Sequence, residues 1–211
     1  MGIYGRWILP RLLDWSMSGA PFAQYRQQLL AEVTGDVLEI GFGTGLNLAY
    51  YPETVTSLTV IEPNPGMGAI AAPRLAQTTL PVTSRTLRGE QLDFQSDRFD
   101  AVVSTWTLCS IAGVDQALAE IHRVLKPGGK FVFIEHGLSP DPHLQTWQHR
   151  LTPLQKRLAD GCHLDRAIGE LVEAHFPKLT INTFYATNLP KVGGYFYQGI
   201  AVKDKQDQIL Q

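Results

Sequence analysis

The residues best suited to chemistry open in one short stretch, Val37-Leu-Glu-Ile-Gly-Phe-Gly-Thr-Gly-Leu46, where an apolar run leads into three glycines at alternate positions. Glycine lets a backbone turn tightly and approach a ligand closely. Gly41, Gly43 and Gly45, with Phe42 and Thr44 between them, therefore describe a loop that cradles a nucleoside-bearing group. A dinucleotide fingerprint GxGxxG would need its third glycine at position 46, which is Leu46, so the pattern disfavours NAD. Further on, a second apolar run ends in Ile61-Glu62-Pro63-Asn64. A carboxylate at that terminus can accept hydrogen bonds from both hydroxyls of a ribose, which assigns the role to Glu62.

Proton-transfer candidates lie further along. Glu135 and His136 end another apolar run, and Asp160 and His163 sit in the polar turn DGCHLD. His136 falls where open α/β sheets bind substrates, and Asp160 follows in the substrate-side turn; these two are the expected catalytic residues. Trp106, after the run FDAVVST, could wall a cationic centre. Cys109 and Cys162 lack CxxC spacing, and the histidines form no HExxH pair, so no metal site is expected and the cysteines read as reduced structural thiols.

These residues need elements to hold them. The runs Val37 to Ile40, Leu58 to Ile61, Ala101 to Ser104 and Phe131 to Ile134 are short, apolar and bounded by Gly, Pro or Asp, as strands buried on both faces are. A further strand is expected around Val82 to Leu87. Val114, Ala117, Leu118, Ile121, Val124 and Leu125 recur at helical spacing before KPGG stops the helix. Two helices are expected within residues 138–176, split by DGCHLD. The closing runs Leu179 to Tyr185 and Tyr195 to Val202 are joined by a short Pro/Gly loop and predict an antiparallel pair. The expected organisation is one domain: a helical lid over residues 1–35, a cofactor-binding core over 36–137, and substrate-side helices with the antiparallel strands over 138–211.

With 211 residues, 44% hydrophobic and 18% charged, the chain can bury roughly 70% of its unfolded surface without disulfides. A formal charge of -2 with no basic block argues against a nucleic-acid partner. The N-terminal apolar runs are interrupted by Arg6, Pro10, Arg11 and Asp14, so no membrane span is expected and a cytoplasmic location is. The stripe Trp7, Ile8, Leu12, Trp15 is assigned to the lid over the cleft in preference to a peripheral membrane contact.

Taken in order, LEIGFGTG, VIEPNPGM, FDAVVSTWTLCSI and LKPGGKFVFIEHG resemble the successive motifs of class I S-adenosylmethionine-dependent methyltransferases over roughly residues 35–137. The resemblance implies a Rossmann-like α/β fold with a seven-stranded sheet of order 3-2-1-4-5-7-6, strand seven reversed. It also implies that Glu39, Gly41, Gly43 and Gly45 hold the methionine moiety and ribose face, and that Glu62 takes the ribose diol. Pro63, Asn64 and Met67 would flank the adenine, Glu90 and Gln91 would border its edge, and Thr105, Trp106 and Leu108 would pass beneath the sulfonium. The C-terminal third, with EH at 135 and 136, Trp147, Pro153, DGC at 160 to 162, Arg166 and YxxGxAVK, is similar to the group that includes the alkyl-thiol S-methyltransferases.

The expected function is therefore methyl transfer from S-adenosylmethionine, leaving S-adenosylhomocysteine, to a small apolar acceptor, with a thiol sulfur first. A quinone or phospholipid-amine methyltransferase is the competing enzyme. A module that binds the cofactor without turnover is the competitor from another class.

Overall fold

A computed structural model describes residues 2–205. Seven strands, β1 (Gly35–Ile40), β2 (Val55–Ile61), β3 (Val82–Arg85), β4 (Phe99–Thr105), β5 (Leu125–His136), β6 (Lys178–Tyr185) and β7 (Tyr195–Val202), form one sheet of order β3-β2-β1-β4-β5-β7-β6. The first five pair in parallel, and β7 runs antiparallel to both β5 and β6. This is the order and reversal implied by the family resemblance.

Alternation along the strands divides the core. On one face Leu38, Phe131 and Phe133 pack with Leu118 and Ile121 of helix α4 (Val114–Val124) and Val172 of helix α6 (Ile168–His175). On the other, Val37, Val132 and Ile134 pack with Leu29 and Leu30 of helix α2 (Ala20–Leu30) and Ala71 of helix α3 (Pro65–Gln77). Neighbouring residues of β5 thus feed opposite layers, which is why its sequence is continuously apolar.

Local boundaries differ from the sequence reading in three places. Strand β3 ends at Arg85, two residues short of Leu87. KPGG ends the helix as expected yet lies inside β5, where a register irregularity opposite Phe99/Ala101 and a positive φ of 82° at Gly128 accommodate it. The short helix that the sequence predicts after the glycine loop, ending near Pro52, is a single 3-10 segment, Leu46–Tyr50.

Before β1, a wide turn at Tyr4–Ile8 leads into helix α1 (Leu9–Met17). Pro10 has no N–H for the carbonyl of Arg6, and that oxygen instead abuts Gly66 at the start of α3, where an added Cβ would lie 2.1 Å from it. Asn64 Nδ2 donates to Gly5 O at 3.1 Å beside this contact. The N-terminal segment is thereby seated on the helix that follows Glu62. Helix α5 (Pro142–Leu158) completes the elements.

Candidate active site

Parallel register brings the strand ends together: Ile40 lies opposite both Ile61 and Ser104, and Thr105 lies opposite Ile134. At this carboxyl edge is a cavity of about 900 Å³, large enough for a nucleoside cofactor with a small acceptor.

One wall is the glycine loop. Gly41 and Phe42 donate their backbone N–H groups to Ile61 O at 3.0 and 3.1 Å, which ties the loop to the end of β2. Gly41 has φ +72°, and a Cβ there would stand 2.2 Å from Thr107 Cγ2 and Oγ1, so this position admits only glycine. Glu62 accepts from Gly43 N at 2.9 Å through one oxygen and from Asn64 N at 2.8 Å through the other. Burial raises its pKa, opposed by these two N–H donors, while the charge of Asp160 raises it further.

Behind the loop is a polar network that sequence reasoning missed. Glu39 accepts from Asn47 Nδ2 and Tyr51 Oη, both at 2.8 Å, and Asn47 Oδ1 accepts from Arg26 Nε at 3.0 Å. Burial pushes the Glu39 carboxyl up to about 7, against its hydrogen bonds and Arg26, and pulls the Arg26 guanidinium down to about 10. Arg26 also lies 4.9 Å from the centre of the Trp106 ring, occupying a cation site that the sequence reading left for the sulfonium. Arg74 of α3 donates to Thr44 O at 2.7 Å and pairs with Asp14 of α1 at 2.8 Å, clamping helix α1 to the loop. None of these partners has a motif of its own; Asn47 and Tyr51 turn back from just after the loop, and Arg26 and Arg74 reach it from α2 and α3.

Of the expected cofactor residues, Gly41, Phe42, Gly43, Thr44, Glu62, Pro63, Met67, Glu90, Thr105 and Trp106 line the cavity. Glu39 and Gly45 support the loop from behind, Gly45 N donating to Phe42 O at 3.0 Å. Three others lie elsewhere. Asn64 accepts from Gly66 N at 2.9 Å and caps α3, Gln91 is exposed, and Leu108 is buried in the core.

The expected catalytic residues also line the cavity. Asp160 does not cap the next helix, which starts at Ile168 with Ala167 before it, and its charge acts on Glu62 instead. Glu135 is wholly consumed by structure, accepting from Ser104 Oγ, Thr107 N and Leu108 N, each at 2.9 Å. His163 turns away to Asp165. Helix α1 reaches the cavity through Leu13 and Met17. The stripe assigned to that contact faces the other way, with Trp7 52% and Trp15 79% exposed, because seating Arg6 O on Gly66 fixes which side of the segment meets α3.

A gathering that spacing did not reveal completes the far end. Cys109, His136 and Cys162 come together on the cavity wall, with His136 Nε2 3.0 Å from Cys162 Sγ and the two sulfurs 3.7 Å apart. Both thiols are buried and free. The thiol–thiol hydrogen bond pushes Cys109 up and pulls Cys162 down, the latter aided by His136. Burial pulls His136 down, yet its contacts with Cys162 outweigh that and set it above its ordinary value.

A doubly wound α/β sheet with a nucleoside cradle at its carboxyl edge defines a class of cofactor-binding proteins. A family model described as a methyltransferase domain matches residues 38–133. Thiol S-methyltransferase TMT1B of Rattus norvegicus is 36% identical over 146 residues, 67% of this chain and 59% of that protein. Phosphatidylethanolamine N-methyltransferase of Cereibacter sphaeroides is 30% identical over 170 residues, 78% of this chain and 80% of its own. The fold is similar to N-methyltransferase NodS of Bradyrhizobium japonicum WM9, solved with S-adenosylhomocysteine, with a TM-score of 0.65 at 16% identity over 90% of this chain and 91% of that one. The chain belongs to the class I S-adenosylmethionine-dependent methyltransferases.

S-adenosylmethionine is the cofactor of this family, and the residues present fit it. Each Glu62 oxygen keeps a lone pair beyond its backbone donor, Gly43 faces open space where an added Cβ would meet only Gly41 O at 3.9 Å, and Trp106 Nε1 is buried in the cavity wall without a partner among the described residues.

Proposed function

We propose that this chain methylates the sulfur of a small apolar thiol. The observation that carries the reading is the continuity of one cavity from the glycine cradle to a chamber walled by Leu151, Leu154, Leu164, Leu189 and Val192, with the sulfur and imidazole groups of Cys109, Cys162 and His136 on its wall. The thiol S-methyltransferase relative supports it.

The bound cofactor supplies a methyl group activated by a sulfonium, open to in-line displacement. The chain's residues hold and orient. Glu62 and the loop Gly41 to Gly45 fix the nucleoside side, with Pro63, Met67 and Glu90 around the base. Thr105 and Trp106, in the cavity wall at the end of β4, would border the sulfonium side of the bound cofactor. The apolar chamber excludes water and favours acceptors that shed it readily. A thiol with pKa near 8.5 is already partly ionised at neutral pH, so His136 need only stabilise the anion and Asp160 need only close the cofactor side.

Formation of S-adenosylhomocysteine with alkyl thiols, phenols, quinols and phosphatidylethanolamine tests this directly. Turnover of the thiols is expected; turnover confined to phenols or quinols would overturn the acceptor. A lipid amine is a second reading, favoured by the exposed stripe Trp7, Ile8, Leu12 and Trp15 on the segment whose other side meets the cavity, and by the phosphatidylethanolamine relative. Among the described residues no helix is long and apolar enough to cross a membrane, so such contact would be peripheral. Vesicle-dependent methylation of phosphatidylethanolamine, lost in Trp7→Ser/Trp15→Ser, would establish it.

A further inference from the structure

Cys109, His136 and Cys162 come from three separate places, the loop after β4, the end of β5 and the turn after α5. The fold locks them together. His163 N donates to Cys109 O at 2.9 Å. Arg166 donates to Leu108 O and, at 2.6 Å, to Ile111 O. Gly161 approaches so closely that an added Cβ would stand 3.0 Å from Ser110 O. Their ligand atoms, two Sγ and one imidazole nitrogen, all lie within 4.8 Å of one another.

Tetrahedral zinc, with bonds of about 2.3 Å to sulfur and 2.0–2.1 Å to nitrogen, sets its sulfurs roughly 3.8 Å apart and sulfur and nitrogen roughly 3.5 Å apart. The sulfurs here are already 3.7 Å apart, the imidazole at 3.0 Å from Cys162 would retreat by about 0.5 Å, and its separation from Cys109, within 4.8 Å, would settle at about 3.5 Å. Among the described residues no partner engages His136 Nδ1, and the only side-chain contact of Nε2 is with Cys162 Sγ, itself a ligand of the same site. Two thiolates also neutralise a divalent cation, which makes a buried site affordable in an apolar wall. All three residues line the cavity, whose wall also carries Leu151, Leu154 and Leu164 of the acceptor chamber.

We propose that Cys109, His136 and Cys162 form a three-ligand site for a soft divalent cation of the zinc type, its fourth position open to the acceptor. An acceptor thiol entering that position binds through sulfur as the thiolate and releases its proton to solvent. This role rests on the thiol reading above, whereas cation binding itself does not. Three protein ligands with one open position is the pattern of reactive rather than structural zinc sites.

The test uses the full chain, reduced with a phosphine and freed of metal by dialysis, then titrated with Co²⁺ and competed with Zn²⁺. One equivalent of Co²⁺ with thiolate charge-transfer and tetrahedral ligand-field bands is expected, displaced by Zn²⁺. Cys162→Ser and His136→Asn, confirmed as folded by thermal melting, should each weaken binding by more than roughly tenfold. Calorimetric S-adenosylhomocysteine binding by Cys162→Ser should persist, which separates this site from the cofactor site. A small alkyl thiol should shift the cobalt bands of the wild type. No thiolate bands while both thiols titrate as free, or equal affinity in Cys162→Ser, overturns the site. Bands that ignore the added thiol overturn the open position. Full thiol turnover by metal-free protein overturns the acceptor role and leaves the methyltransfer reading standing.

Discussion

Glu62 accepts the backbone N–H of Gly43 at 2.9 Å across 19 residues of sequence. The contact makes the acid at the end of β2 a brace for the glycine loop after β1, and the loop's shape depends on the residue expected to bind the ribose. Glu62→Ala should therefore weaken S-adenosylhomocysteine by about ten- to hundredfold, corresponding to roughly 1.5–3 kcal/mol. Titration calorimetry measures this; unchanged affinity would remove Glu62 from the site.

Glu39 makes stability depend on pH. Its carboxyl is raised from 4.5 to about 7 by burial, so the folded state keeps a proton that the unfolded chain has already released. The stabilisation is complete below about 4.5 and is lost as pH rises through about 7, on the order of 3 kcal/mol. Urea unfolding of the cofactor-free protein should show a midpoint that falls from pH 5 to pH 8. In Glu39→Gln that slope should flatten; an identical slope would show that other groups produce it.

Gly41→Ala should destabilise by about 1–3 kcal/mol, since its φ of +72° is strained for alanine and the new Cβ strikes Thr107. Thr107→Gly removes the struck atoms, so Gly41→Ala should cost measurably less in that background. A double-mutant cycle on urea midpoints reads the coupling, and strict additivity would refute the clash.

Arg26→Met leaves Asn47 Oδ1 and Met17 O without their donors, at 3.0 and 2.8 Å in the wild type. The expected loss is about 2–4 kcal/mol. Because Arg26 joins α2 to the Asn47–Glu39 network, cofactor affinity should fall with it. Wild-type stability in the variant would contradict this bracing role.

What the sequence determined by itself was what short-range pattern can encode. Apolar runs bounded by turn residues set the strands, alternating glycines and Glu62 set the cradle, and the family motifs set the sheet order. Buried strands read plainly because both faces meet helices, leaving no polar alternation to confuse them. The tertiary structure alone decided which side chains meet. Arg26 and Arg74 support the cradle from α2 and α3, Asn47 and Tyr51 turn back on Glu39 from the segment after the loop, and Asn64, Gln91 and Leu108 leave the cavity although neighbouring residues line it. The apolar stripe of Trp7 and Trp15 faces outward because helical periodicity defines a face but not what covers it. Cys109 and Cys162 are 53 residues apart, with His136 between them, and they meet only when the loop after β4 closes on the turn after α5. No local spacing records that closure, because it depends on Arg166 reaching the carbonyls of Leu108 and Ile111.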